Sequence, residues 1–128
     1  MEPSSELDAL ARRVIGAAIE VHRILGPGYL ESVYEEALAI ELGMQGVPCD
    51  RQTPLKIEYK GKAVGEGRLD LLVADRLVVE LKTVDNLLPI HHAQVLSYLK
   101  VTRKQIGLLI NFNVRVLRDG VKRIVLSH

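Results

Sequence analysis

The chain of 128 residues has no tryptophan, one phenylalanine and four tyrosines, which leaves few aromatic rings for stacking on exposed bases. It has a single cysteine, Cys49; an intrachain disulfide is excluded, and a reducing, cytoplasmic setting is expected. No apolar run reaches the ~18 residues of a membrane-spanning helix. The opening stretch, MEPSSELDALARRV, is acidic and polar and does not read as a secretory signal. Charge of one sign is also lacking: 17 basic residues stand against 16 acidic ones, a net charge of +1. Proteins that hold nucleic acid by bulk electrostatics carry a clear basic excess, so any such contact here must be local, metal-assisted or shared with a partner. Repeats, low-complexity tracts and linkers are absent as well. Residues 1–128 are therefore expected to form one domain, with 48% hydrophobic and 26% charged residues supplying one core and a solvated surface.

What is present begins with helical spacing. Ser4 and Ser5 offer an N-cap, with Asp8 placed as in a capping box. Leu7, Leu10, Val14, Ala17, Ala18, Val21 and Leu25 then recur on one helical face, until Gly26-Pro27-Gly28 stops the helix. A second helix is expected over residues 29–42, closed by Gly43 and Gly46. From Pro54 the period changes to two. Strands are expected at about 55–59, 64–73 and 77–82, with turns at Lys60-Gly61 and Ala74-Asp75-Arg76. A third helix follows at about 90–102, then the apolar strand IGLLINF, then a closing hairpin turning at Asp119-Gly120.

The segment GRLDLLVADRLVVELK, residues 67–82, places three charges among strand residues, which is costly unless they are exposed, paired or metal-bound. If Asp70 lies opposite Glu80, the hairpin centres on Asp75. Leu71, Val73, Leu77, Val79 and Leu81 then share an apolar face, and Asp70, Glu80 and Lys82 share the other. Two carboxylates held so close repel unless a proton or cation lies between them, and a hard divalent ion takes one or two carboxylates plus water and phosphate oxygens. Lys82 points the same way and could steer a water or offset phosphate charge. Arg68, two residues before Asp70, is a candidate phosphate contact on that face. The bland alternative is an exposed Glu80–Lys82 ion pair, worth ~0–1 kcal/mol.

On a helical wheel, Leu30, Val33, Tyr34, Ala37 and Leu38 form the core stripe of the second helix. Glu31 falls at its edge, facing the interior or a cleft, Glu36 faces solvent, and Glu41 falls mid-stripe. In the third helix His91, Gln94 and Tyr98 share one flank, and Val95, Leu96 and Leu99 cover the core side. His91-His92 has no carboxylate or cysteine at zinc spacing.

Taken together these residues resemble the GxxExxY family of the PD-(D/E)XK nuclease-like superfamily. GYLESVY, with Glu31 and Tyr34, matches the naming motif. RLDLL followed by VVELK matches the superfamily's Asp and Glu-x-Lys at Asp70, Glu80 and Lys82. AQVLSYLK matches its Gln-xxx-Tyr pattern at Gln94 and Tyr98, and GLLINF resembles the next strand. The resemblance implies an α/β, restriction-endonuclease-like mixed central sheet flanked by helices: an αβββαβ core, here with an extra N-terminal helix and a C-terminal hairpin. It further implies that Asp70, Glu80 and the carbonyl of Leu81 bind Mg²⁺ or Mn²⁺, with Glu31 completing the acidic cluster directly or through water. Lys82 would position or activate the attacking water, and Gln94 and Tyr98 would orient Lys82 or a phosphate.

The expected function is therefore a metal-dependent nuclease hydrolysing phosphodiester bonds in nucleic acid, DNA favoured over RNA. The alternative is a catalytically inactive nuclease-like module for binding or assembly. A chain with so little basic surface could work as a homodimer, offering two sites to two strands. No membrane partner is expected.

Overall fold

A computed structural model describes residues 3–128. Helix α1 (Ser5–Leu25) and α2 (Glu31–Met44) precede strands β1 (Cys49–Tyr59), β2 (Lys62–Val73) and β3 (Leu77–Lys82), helix α3 (Pro89–Thr102), β4 (Ile106–Asn111), a 3-10 turn (Leu117–Gly120) and β5 (Val121–Val125). The strands lie in one sheet in the order β1-β2-β3-β4-β5. All neighbours are antiparallel except β3 and β4. The parallel pair is joined by α3, the crossover that parallel strands require. The result is the expected mixed sheet flanked by helices. Among the described residues, no helix is long and apolar enough to cross a membrane.

Alternation along β3 fills both faces. Leu77, Val79 and Leu81 pack with α1, α2 and Phe112, whereas Val78 packs with Val95 and Leu99 of α3. All four of these β3 residues are fully buried, as expected of a strand covered by helices on both sides. Ser4 caps α1, its hydroxyl accepting from the Leu7 N–H at 3.1 Å. Strand β1 begins at Cys49, before the expected start, and runs straight through Pro54. It can do so because β1 is an edge strand, where a missing N–H is tolerated.

Two expectations are corrected. No hairpin turns at Asp119-Gly120 within the last segment; residues 117–120 form the 3-10 turn, and β5 pairs back onto β4, from Ile106 opposite Val125 to Ile110 opposite Val121. Gly120 packs so tightly against Asn111 that a Cβ there would sit 2.2 Å from the Asn111 carbonyl oxygen. The second correction concerns α2. Leu30 is 76% exposed and Val33 37% exposed, while Glu35 is buried beside Tyr34, Leu38 and Leu42. The buried stripe is thus rotated toward Glu31 and Glu35, one helical turn apart.

The GYLESVY turn is held by Tyr34. Its ring stacks on Phe112 at 4.4 Å. Its hydroxyl donates to the Gly26 carbonyl at 2.6 Å and accepts from the Tyr29 N–H at 3.2 Å, while Gly28 takes a φ of 109° that favours glycine. Tyr34→Phe keeps the stack and removes both hydrogen bonds. We expect it to cost about 1–2 kcal/mol by urea denaturation; an unchanged midpoint would show that the hydroxyl does not hold this turn.

Candidate active site

The site forms where the β2–β3 ladder opens. Backbone pairing runs from Val73 opposite Leu77 to Leu71 opposite Val79 and stops there. One step further, side chains replace the missing ladder bonds. The Asp70 N–H donates to Glu80 Oε1 at 3.0 Å, and the Leu81 N–H donates to Asp70 Oδ2 at 2.8 Å. Asp70 and Glu80 are therefore brought together as their equal offset from Asp75 required, and each carboxylate is fixed by a backbone donor. Glu80 is 3% exposed and Asp70 is half-buried.

The alternation of β2 breaks at the same point. Leu69 and Leu72 pack on the α3 side, Leu71 and Val73 on the α1–α2 side. On the neighbouring strand, Gln52 takes a φ of 50° and the paired register skips it and Asp70 together. Arg68 was expected on Asp70's face on the assumption of unbroken alternation. It is exposed, opposite Pro54, on the far side of the interruption.

Helix α2 completes the acidic group. The half-buried Glu31 interacts with Asp70, Lys82 and Glu35. Glu35, which wheel analysis overlooked, is buried and acts on both Glu31 and Asp70. It accepts from Arg51 Nη2 at 3.0 Å and from Gln52 Nε2 at 2.6 Å, and Arg51 also pairs with Glu36. This clasp ties α2 to β1. The available signal was the spacing: Glu35 lies four residues after Glu31 and must share its face.

The electrostatic consequence is a group of acids that resists full ionisation. Burial, followed by the charge of Asp70, pushes Glu80 up to about 8. Burial also raises Asp70, against the Leu81 N–H and Lys82, which favour its charged form. Glu31 is raised first by burial and then by Asp70. Lys82 is half-buried and close enough to act on all three. On α3, Gln94 Nε2 donates to the Tyr98 hydroxyl at 3.2 Å. Burial, then the charge of Glu80, raises Tyr98, which brings this flank of α3 into the site. His91 has a local role: its Nδ1 accepts from the Leu88 N–H at 2.9 Å and caps α3.

Asn111, the partner of Lys82 across β3 and β4, was also missed. It is buried. Its Nδ2 donates to the Val84 carbonyl at 2.8 Å, and its Oδ1 accepts from the Val84 N–H at 3.1 Å. The loop leaving Lys82 is thereby pinned to β4.

Among the described residues, no three His, Cys, Asp or Glu side chains are arranged as a ready-made metal cage. The expected convergence of Glu31, Asp70 and Glu80 is thus a carboxylate pair, Asp70 and Glu80, flanked by Glu31 as a third acid. Hard divalent ions need only one or two carboxylates, with water and phosphate filling the other positions. The donor set fits such an ion.

A family model described as the PD-(D/E)XK nuclease superfamily matches residues 8–124. No curated protein matches the chain. Among solved structures, the crystal structure of SSO0001 superposes with a TM-score of 0.51 at 21% identity, over 75% of this chain and 50% of that one. The likeness shows a shared fold, and the chain spans about half the length of that protein. Nucleases of this superfamily typically use divalent metals. An Asp and a Glu-x-Lys meeting at an opened β-hairpin, on a sheet matched by this model from α1 to β5, carry the conclusion that the chain belongs to the PD-(D/E)XK nuclease superfamily.

Proposed function

We propose that the protein is a metal-dependent nuclease that hydrolyses phosphodiester bonds in nucleic acid, and that within its superfamily it belongs to the GxxExxY branch. The observation that carries this reading is the Asp70–Glu80 pair, each carboxylate held by a backbone N–H of the facing strand with Lys82 beside it. Support for the branch comes from the role of Tyr34 in closing the turn that presents Glu31.

Asp70, Glu80 and the Leu81 carbonyl would hold Mg²⁺ or Mn²⁺, with Glu31 completing the acidic cluster directly or through water. When bound, the ion supplies Lewis acidity toward the phosphate and lowers the pKa of a coordinated water. Lys82 positions that water and offsets charge developing on the phosphate oxygens. Gln94 and Tyr98 orient Lys82 or a non-bridging oxygen. Arg68, exposed beside the opening, is left as an outer phosphate contact. With Glu80 pushed up to about 8, an ion binding near neutral pH competes with a proton on that carboxyl, so loading should be stronger at higher pH. DNA is favoured over RNA, a homodimer would bring two sites to two strands, and the single Cys49 suits a cytoplasmic setting.

The test is cleavage of labelled duplex, single-stranded, branched and RNA substrates with Mg²⁺ or Mn²⁺. Lys82→Ala and Asp70→Ala should each lower the rate by at least about 10²-fold, the loss typical of removing one group that stabilises transition-state charge. Cleavage that persists undiminished in both variants would sink the assignment.

A further inference from the structure

The β1–β2 hairpin runs far beyond the rest of the sheet. Strand β3 pairs with β2 only over Leu71–Val73, whereas β1 and β2 stay paired out to Tyr59 opposite Lys62. Residues 56–66 are exposed throughout. A bare two-stranded ribbon is marginal in water, and this one is stiffened at both ends. At its root, Leu55 and Leu69 are buried with Leu99 of α3, and Gly67 lies so close to Tyr98 that a Cβ there would sit 3.3 Å from the ring. At its tip, Lys60 and Gly61 take φ values of 51° and 80°, the positive angles that a tight two-residue hairpin turn demands. The Lys60 ammonium sits 5.4 Å above the Tyr59 ring.

The same segment carries a basic surplus. Lys56, Lys60, Lys62 and Arg68 stand against Glu58 and Glu66, a surplus of two on the arm when the whole chain carries only +1. That surplus, on residues that project from the sheet, gives the arm a local basic surface of the kind nucleic-acid contact requires. The arm leaves the sheet past the end of β3 that holds Glu80 and Lys82. Its reach from Asp70 to Lys62 is about 25 Å at ~3.3 Å per residue.

We propose that this arm docks in the major groove of duplex DNA, with Lys56, Lys60 and Lys62 on flanking phosphates and the opened ladder at the scissile bond. The inference rests on the nuclease reading and narrows its substrate to B-form duplex. A major groove about 12 Å wide admits a two-stranded ribbon, whereas the deep, narrow major groove of A-form RNA does not. The exposed Ile57, Tyr59 and Val64 gain a groove wall to cover them. The arm's length sets a footprint extending about seven base pairs to one side of the cleavage point.

The experiment measures binding, in chelator so that nothing is cleaved, of the full chain to a labelled DNA duplex of about 30 base pairs and to an RNA duplex of the same sequence, over a salt series. Wild type should prefer DNA. The triple variant Lys56→Gln/Lys60→Gln/Lys62→Gln should lose at least about tenfold in affinity, and its log–log salt slope should fall by about 2–3. Circular dichroism confirms folding, and Tyr59→Ala alone should weaken binding by several-fold with the salt slope unchanged. If wild type binds DNA and the triple variant binds it equally with the same slope, the arm is not the contact and only this inference falls. Equal binding of DNA and RNA duplexes would also overturn it. So would light scattering that shows a dimer broken by the triple variant while DNA binding is intact, since the arm would then pair with a second copy. If wild type neither binds nor cleaves any nucleic acid, the nuclease reading falls and takes the arm with it.

Discussion

In metal-free buffer, wild-type protein should lose stability as the pH rises from about 5 to about 8, and Glu80→Gln should remove most of that loss. Folding raises the Glu80 pKa from its ordinary value to about 8, so between those two values the folded state holds a proton that the unfolded state has released. Stability then falls with pH, because the unfolded state binds fewer protons. Below the unfolded pKa both states are protonated and the penalty vanishes; above the folded pKa it is complete. For a group only 3% exposed, the integrated effect is on the order of 3–5 kcal/mol. Gln at position 80 keeps an oxygen to accept the Asp70 N–H but cannot ionise. Denaturant melts of both proteins at intervals across the range provide the measurement, and parallel curves would contradict the account. Millimolar Mg²⁺ or Mn²⁺ should stabilise wild type more at pH 8 than at pH 5, by mass action on the folded state, and Glu80→Gln should blunt that gain.

The second large effect is predicted for Gly120→Ala. A Cβ at this position would sit 2.2 Å from the Asn111 carbonyl oxygen and 3.2 Å from its carbon. Both are backbone atoms, so relief requires moving the 3-10 turn off β4. Overpacking against backbone costs about 3 kcal/mol or more, or roughly 10 °C in Tm for a domain of this size. Because Asn111 also grips Val84 in the loop after Lys82, the proposed nuclease activity should fall more steeply than the folded fraction does. Thermal melts set beside cleavage rates at a temperature where the variant is folded test this. A variant with wild-type Tm would refute the close packing of Gly120 on Asn111.

Much of this site was legible from chain-local patterns. The bounds of β3 at Leu77 and Lys82 follow from alternation and the turn residues before it. The meeting of Asp70 and Glu80 follows from their equal distance from Asp75, since a tight hairpin imposes its own register. Gln94 and Tyr98 lie together because a helix sets residues four apart on one face. The same local rules failed where a distant segment decides. Counting positions on α2 put Leu30 and Val33 inside. Burial of Glu35 depends on Arg51 and Gln52, sixteen and seventeen residues away, and a buried carboxylate is tolerable only once such partners arrive. The last segment reads as a hairpin from its Asp-Gly pair, yet β4 takes β5 as its partner.

Composition and short-range spacing were thus enough to establish an α/β chain with its strands, helices and acidic pair in order, because helix period, strand alternation and hairpin register depend only on neighbours along the backbone. Tertiary structure alone decided three matters: the opening of the ladder that turns two carboxylates onto backbone donors, the clasp from β1 that buries Glu35 on α2, and the projection of the β1–β2 arm beyond the sheet. Each depends on which surfaces are buried against which, a property of packing in three dimensions that no short window of residues contains.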